Sequence, residues 1–152
     1  RGLCEFQRSG SSVKLGNLDA IRDWGHARDY VEMQHLMLQQ QQAKDYVIGS
    51  GRQTTVRQFV EFVAERLGFG IEWQGSNLNE IGICISAENA KFIGKKMIEV
   101  SDKYFRPLEV ERLLADATQA KNHLNWVPKT SLEQLVDEMV HFEKNKTTFD
   151  VI

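Results

Sequence analysis

The chain has 152 residues and a net charge of −2, so it is about the size of one ordinary domain and carries no global positive field to draw in nucleic acid or an anionic membrane. No apolar run nears the roughly 20 residues a spanning helix needs, and the first ten residues lack the apolar core of a signal peptide. Two cysteines, Cys4 and Cys84, are too few for a disulfide scaffold or a zinc site, so a reducing, cytoplasmic setting is the expectation.

Residues 1–12 are polar and rich in Gly and Ser after a short apolar start. They read as a poorly ordered lead-in or the broken end of a preceding helix. Val13-Lys14-Leu15 predicts a short strand. An elbow dense in functional residue types follows, with Arg22, Asp23, Trp24, His26 and Arg28 between Gly16 and Tyr30. An arginine on such a bend can present its planar fork to two oxygens of a phosphate or carboxylate. An Arg-Asp-Trp triplet equally suits a buried ion pair under an aromatic lid.

A helix is predicted over 28–42, with Tyr30, Val31, Met33, Met37 and Leu38 as its apolar surface. Residues 45–49 give a strand signal that closes on Gly49-Ser50-Gly51. Thr55 with Gln58 three residues on predicts a capping box. Val56, Phe59, Val60, Val63 and Leu67 then mark the clearest amphipathic helix, stopped at Gly68. Residues 71–73 read as a strand. Residues 75–96 read as a long surface excursion or hairpin, in which Ile81, Ile83 and Ile85 alternate at strand period.

Residues 97–100 predict another strand, and 102–111 an exposed, charged, extended segment in which Pro107 biases Arg106 away from helix. Asp116 suits the N-cap of a helix over 117–124, ended by Asn125-Trp126-Val127-Pro128. Thr130 and Glu133 fit a second capping box ahead of a helix striped by Leu132, Leu135, Val136, Met139 and Val140, with a frayed tail after Lys144. The order is β-α-β-α-β, excursion, β, α, α. This describes a small α/β domain of short strands and about four helices over 13–145, with 146–152 as a tail.

No complete catalytic centre is visible. There is no Gly-x-Ser-x-Gly elbow, and Gly49-Ser50-Gly51 lacks the third glycine of a dinucleotide fingerprint. His26, His35, His123 and His141 are too scattered for a metal set. What remains is two arginine-bearing segments, around Arg22 and Arg106, each leaving a strand and each with an acidic neighbour, Asp23 or Glu109. Two arginines and a carboxylate suit a diphosphate joined to a ribose. Solvated charges would account for either segment alone.

Leu15-Gly16-Asn17-Leu18-Asp19 followed by Arg22-Asp23-Trp24-Gly25-His26-Ala27-Arg28-Asp29-Tyr30-Val31 resembles the GDP-mannose 4,6-dehydratase family, as does Tyr104-Phe105-Arg106-Pro107-Leu108-Glu109-Val110. Val47-Ile48-Gly49, the 55–61 stretch and Leu124-Asn125-Trp126-Val127-Pro128 fall in the family's order. The resemblance runs from about Lys14 to His141. It implies an extended short-chain dehydrogenase/reductase, of which this chain is the C-terminal, nucleotide-sugar-binding part without the Rossmann half.

The resemblance further implies that Arg22 and Arg106 bind the GDP diphosphate and that Glu109 accepts from ribose hydroxyls. Leu15, Gly16 and Asn17 line the guanine pocket, while Asp23, Trp24 and His26 brace Arg22. The complete enzyme converts GDP-mannose to GDP-4-dehydro-6-deoxymannose, a precursor of fucose, with NADP. Its NADP site and its catalytic Thr, Glu, Tyr and Lys lie in the Rossmann half, so this chain alone is expected to bind GDP-sugar without turnover and to hold no cofactor or metal. The partners implied are GDP-mannose and a separate Rossmann chain or further copies of this one, with no nucleic acid or membrane. The alternatives are another nucleotide-sugar epimerase or dehydratase fragment, or a non-catalytic nucleotide-sugar-binding or interaction module.

Overall fold

The computed structural model describes residues 1–106, 110 and 113–146. Among them the chain runs α1 (Gly2–Ser9), β1 (Val13–Leu15), β2 (Ile21–Arg22), α2 (Ala27–Leu38), β3 (Thr54–Thr55), α3 (Val56–Arg66), β4 (Phe69–Gln74), β5 (Ile81–Ala87), β6 (Lys96–Val100), α4 (Thr118–Leu124) and α5 (Leu132–Asn145). The main sheet has the order β1-β6-β5-β4, and β2 and β3 form a separate antiparallel pair. β1 is parallel to β6, with Val13 opposite Ile98 and Leu15 opposite Val100. The β6–β5 and β5–β4 pairs are antiparallel. The architecture is α/β with a small mixed sheet.

Met97 and Ile98 point to opposite faces of β6 by strand alternation, and both are fully buried. The middle of the sheet is therefore covered on both sides. The core combines them with Leu3, Cys4 and Phe6 of α1, Val60 and Ala64 of α3, and Val136 and Val140 of α5. Phe6 packs against the rings of Phe69 and Phe92, at centroid distances of 5.5 and 5.3 Å, and those two rings touch each other at 5.6 Å. A second, smaller cluster forms from Met33, Ala120 and Trp126, with Tyr46 and Ile48 packed against it.

Several sequence expectations change here. Residues 1–12 are not a loose lead-in: Gly2–Ser9 is helical and buries Leu3, Cys4 and Phe6, and Gly10 closes the helix in the left-handed conformation at φ 77°. Residues 45–49 are not a strand. Their alternation lets Tyr46 and Ile48 pack on the second cluster while Val47 faces out, with no ladder partner. In the 75–96 stretch the hairpin alternative holds and the surface excursion does not: β5 pairs antiparallel with both β4 and β6 and is an inner strand of the sheet. Its buried face is small, Gly82 and Cys84, while Ile85 is exposed. A Cβ on Gly82 would press on Trp73, Ile71 and Ile98.

The capping box of α3 forms as the spacing predicts, Gln58 N donating to Thr55 Oγ1 at 3.0 Å and Thr55 N to Gln58 Oε1 at 3.0 Å. The last helix has its box one residue later than Thr130 and Glu133, at Ser131 and Gln134. α2 ends at Leu38 rather than 42, and Leu38 and Val31 are exposed rather than packed. Asp116 Oδ1 accepts from Thr118 N at 3.0 Å, so it caps the first turn of α4 with Ala117 as the boundary residue.

Candidate functional site: an elbow and a strap

The elbow after β1 and the segment after β6 lie side by side. Because β1 and β6 are parallel neighbours, the chain leaves both at the same edge of the sheet. Ser101 N donates to Leu15 O at 2.9 Å. Gly16 then lies against the backbone of the second segment, and a Cβ there would be driven into the carbonyl of Tyr104. Further on, Arg22 Nη1 donates to Val110 O at 2.9 Å and to Ile21 O at 2.8 Å, and Leu113 N donates to Ile21 O at 3.2 Å. The described residues between 101 and 115 thus form a strap along 15–23.

This brings Leu15, Gly16, Asn17 and Arg22 onto one elbow and carries Arg106, which is exposed, in on the strap. Asn17 Oδ1 accepts from Asp19 N at 2.9 Å and so holds the turn itself. Glu109, expected to face ribose hydroxyls, lies outside the described residues.

The neighbours of Arg22 are bound in ways the sequence does not announce. Asp23 Oδ1 accepts from Ser50 N at 2.7 Å and from Ser50 Oγ at 2.6 Å; Oδ2 accepts from Gly51 N at 2.9 Å and Ala115 N at 3.3 Å. Asp23 therefore braces a loop and the far end of the strap. Trp24 stacks on Phe59 at 4.4 Å, and its Nε1 donates to Thr54 O at 3.2 Å. His26 caps α2, its Nδ1 accepting from Arg28 N at 3.0 Å, while its Nε2 meets Glu138 of α5 at 3.1 Å. Burial, then the carboxylates of Asp23 and Asp29, push the Tyr30 phenol above its ordinary range.

Two further polar anchors were not singled out from the sequence. Asp29 is buried, and its Oδ2 accepts from Lys129 N at 3.1 Å and Thr130 N at 2.9 Å. Arg57 pairs with buried Glu80, donates to Asp19 at 2.7 Å, and lies 4.9 Å over the Trp73 ring. The hydrogen bond to Glu80 raises the guanidinium further, so it stays charged. The partners sit 23 to 101 residues apart in the chain, so no local sequence signal announces either anchor.

Four helix N-termini, the kind of place where a dinucleotide's phosphates often sit, are closed by side chains of this chain, while α1 begins without a side-chain cap. His26 caps α2, Thr55 caps α3, Ser131 caps α5 and Asp116 caps the first turn of α4. Among the described residues no group of three or more His, Cys, Asp or Glu side chains could hold a metal ion, and no helix is long and apolar enough to cross a membrane.

Solved structures share this fold. RMD from Pseudomonas aeruginosa, complexed with NADPH, superposes with a TM-score of 0.68 at 14% identity over 95% of this chain and 40% of that one. The dTDP-glucose 4,6-dehydratase of Bacillus anthracis, in complex with NAD, gives 0.66 at 23% identity over 94% and 38%. These likenesses, at 14% and 23% identity, establish the fold of the chain.

Sequence narrows the fold to one family. Residues 5–139 match the family model for GDP-mannose 4,6 dehydratase. The chain is 50% identical over 127 residues to the human GDP-mannose 4,6 dehydratase, covering 84% of this chain and 32% of that protein. It is 45% identical over 145 residues to a Vibrio cholerae GDP-mannose 4,6-dehydratase, covering 92% and 39%. This chain belongs to the GDP-mannose 4,6-dehydratase family. It spans 32 to 39% of the length of these relatives.

Proposed function

We propose that this chain is the nucleotide-sugar-binding portion of a GDP-mannose 4,6-dehydratase, and that the elbow and the strap close on the GDP end of the substrate. One observation carries the reading. The strap is pinned along the elbow from Leu15 to Asp23, which puts both arginine-bearing segments in one place.

Arg22 and Arg106 then share the diphosphate. A guanidinium donates two parallel hydrogen bonds to phosphate oxygens. Leu15, Gly16 and Asn17 take the guanine, largely through backbone groups. Glu109 accepts from the ribose hydroxyls. The complete enzyme acts as a lyase on GDP-mannose and gives GDP-4-dehydro-6-deoxymannose. NADP, when bound, supplies hydride acceptance and return, and its site belongs to the remainder of the enzyme. The chain described here supplies binding and orientation, the terms that turn an encounter into a positioned substrate.

Arg106→Ala tests this directly. It should weaken GDP binding by about 1.5–3 kcal/mol, the scale of hydrogen bonds to a charged group. It should leave the unfolding midpoint nearly unchanged, because exposed charges contribute little to stability. Equal GDP affinity in mutant and parent would remove Arg106 from the site.

A further inference from the structure

Asp23 occupies a position that ion pairing with Arg22 does not explain. A carboxylate offers about four lone-pair sites, and here four donors use them: Ser50 N, Ser50 Oγ, Gly51 N and Ala115 N. Three of the four are backbone amides, 27, 28 and 92 residues away in sequence. The loop can come this close because Gly49 has no side chain; a Cβ there would strike the Ala115 methyl and Asp23 Oδ2.

The geometry points to Asp23 as a positioning residue, a latch that holds the strap shut against the elbow and so sets the affinity for a nucleoside diphosphate. Leu113 N bonds Ile21 O two residues before the latch, and Val110 O receives Arg22 Nη1 on the same run. Fixing Ala115 to Asp23 thereby holds residues 113–115 against the elbow beside the Arg22–Val110 contact. Asp23 touches no ligand in this account. It acts through the two arginines, and the inference rests on the reading of them as the diphosphate grip.

Asn is the discriminating replacement. It keeps size and one acceptor, but turns an NH2 group toward backbone N–H donors that the carboxylate had accepted. In the 152-residue chain, Asp23→Asn should speed amide hydrogen exchange at both 49–51 and 113–116. Its GDP affinity by calorimetry should fall about tenfold or more. Guanosine, which has no phosphate, should bind variant and parent alike.

Unchanged exchange, unchanged GDP affinity, or an equal loss for guanosine and GDP would each overturn the latch. If Asp23→Asn does not fold, Ser50→Ala removes one of the four donors and carries the same test: weaker GDP with unchanged guanosine supports the latch, and unchanged GDP overturns it. A parent chain that binds no GDP overturns the functional reading and the latch with it. A parent that binds GDP beside an Asp23→Asn variant that binds it equally well overturns the latch alone.

Discussion

Around Phe6 the chain is held by rings and aliphatic side chains, whereas around Asp23 it is held by carboxylate oxygens on backbone amides. The first region is a sheet with helices packed on it, and its residues are chosen for volume. The second has β2 and β3, two residues each, and long connections that own almost no ladder. It keeps its shape through Asp23, Asp29, Arg22 and Arg57, each reaching across the chain to a distant partner. Apolar burial tolerates changes that conserve volume. A polar anchor in place of a ladder tolerates changes of shape less than it tolerates changes of bulk, because an unmatched donor or acceptor costs more than the bond contributes.

Substitutions can break this contrast from either side. The largest effect belongs to the core: Phe6→Ala should destabilise the chain by about 3–5 kcal/mol in chemical denaturation, the range for truncating a buried aromatic, and leave GDP affinity unchanged in what remains folded. Asp29→Ala should follow at about 2–3 kcal/mol, since it strips a charged acceptor from the amides of Lys129 and Thr130. A value near zero would show that packing alone holds α2 to the 129–130 turn. Gly16→Ala should cost about 1–3 kcal/mol, because backbone at Tyr104 must give way. Its sharper signature is weaker GDP binding, as the strap is pushed off the elbow.

The smallest effect is electrostatic. Lys96 first, with Lys14 beside it, holds the Glu99 carboxyl below its usual range. A depressed carboxylate contributes stability that is present above its unfolded titration and is lost as pH falls through the folded one. Glu99→Gln should therefore cost under about 1 kcal/mol at neutral pH, and the difference from the parent should vanish on acidification in a pH series of melts.

The same contrast decides how much the sequence reveals. Elements defined by local chemistry are legible: β1 at Val13–Leu15, the Thr55–Gln58 capping box, and the strand at Lys96–Val100. Elements defined by what lies opposite them are not. The isoleucine alternation shows β5 as a strand but not its inner place in the sheet, because its buried face is Gly82 and Cys84 and the isoleucines mark the less buried side. Residues 45–49 alternate like a strand because they lie extended over Met33 and Trp126, with no neighbour to pair. α1 hides because eight residues with one Gly and four polar side chains carry only a short apolar signal. In the candidate site, Arg22 and Arg106 stand out as charges on bends, and their residue types suggest an anion. Asp23 reads as the partner of the arginine beside it, and only its distances to Ser50, Gly51 and Ala115 reveal that it closes the strap.

The central claim is that elbow and strap together form a site for a guanosine diphosphate. The most direct measurement is a calorimetric titration of the folded chain with GDP, with UDP run alongside. The account predicts saturable binding of one GDP per chain, with UDP distinctly weaker. A folded chain that gives no heat with either nucleotide, or that binds UDP as tightly as GDP, would contradict it.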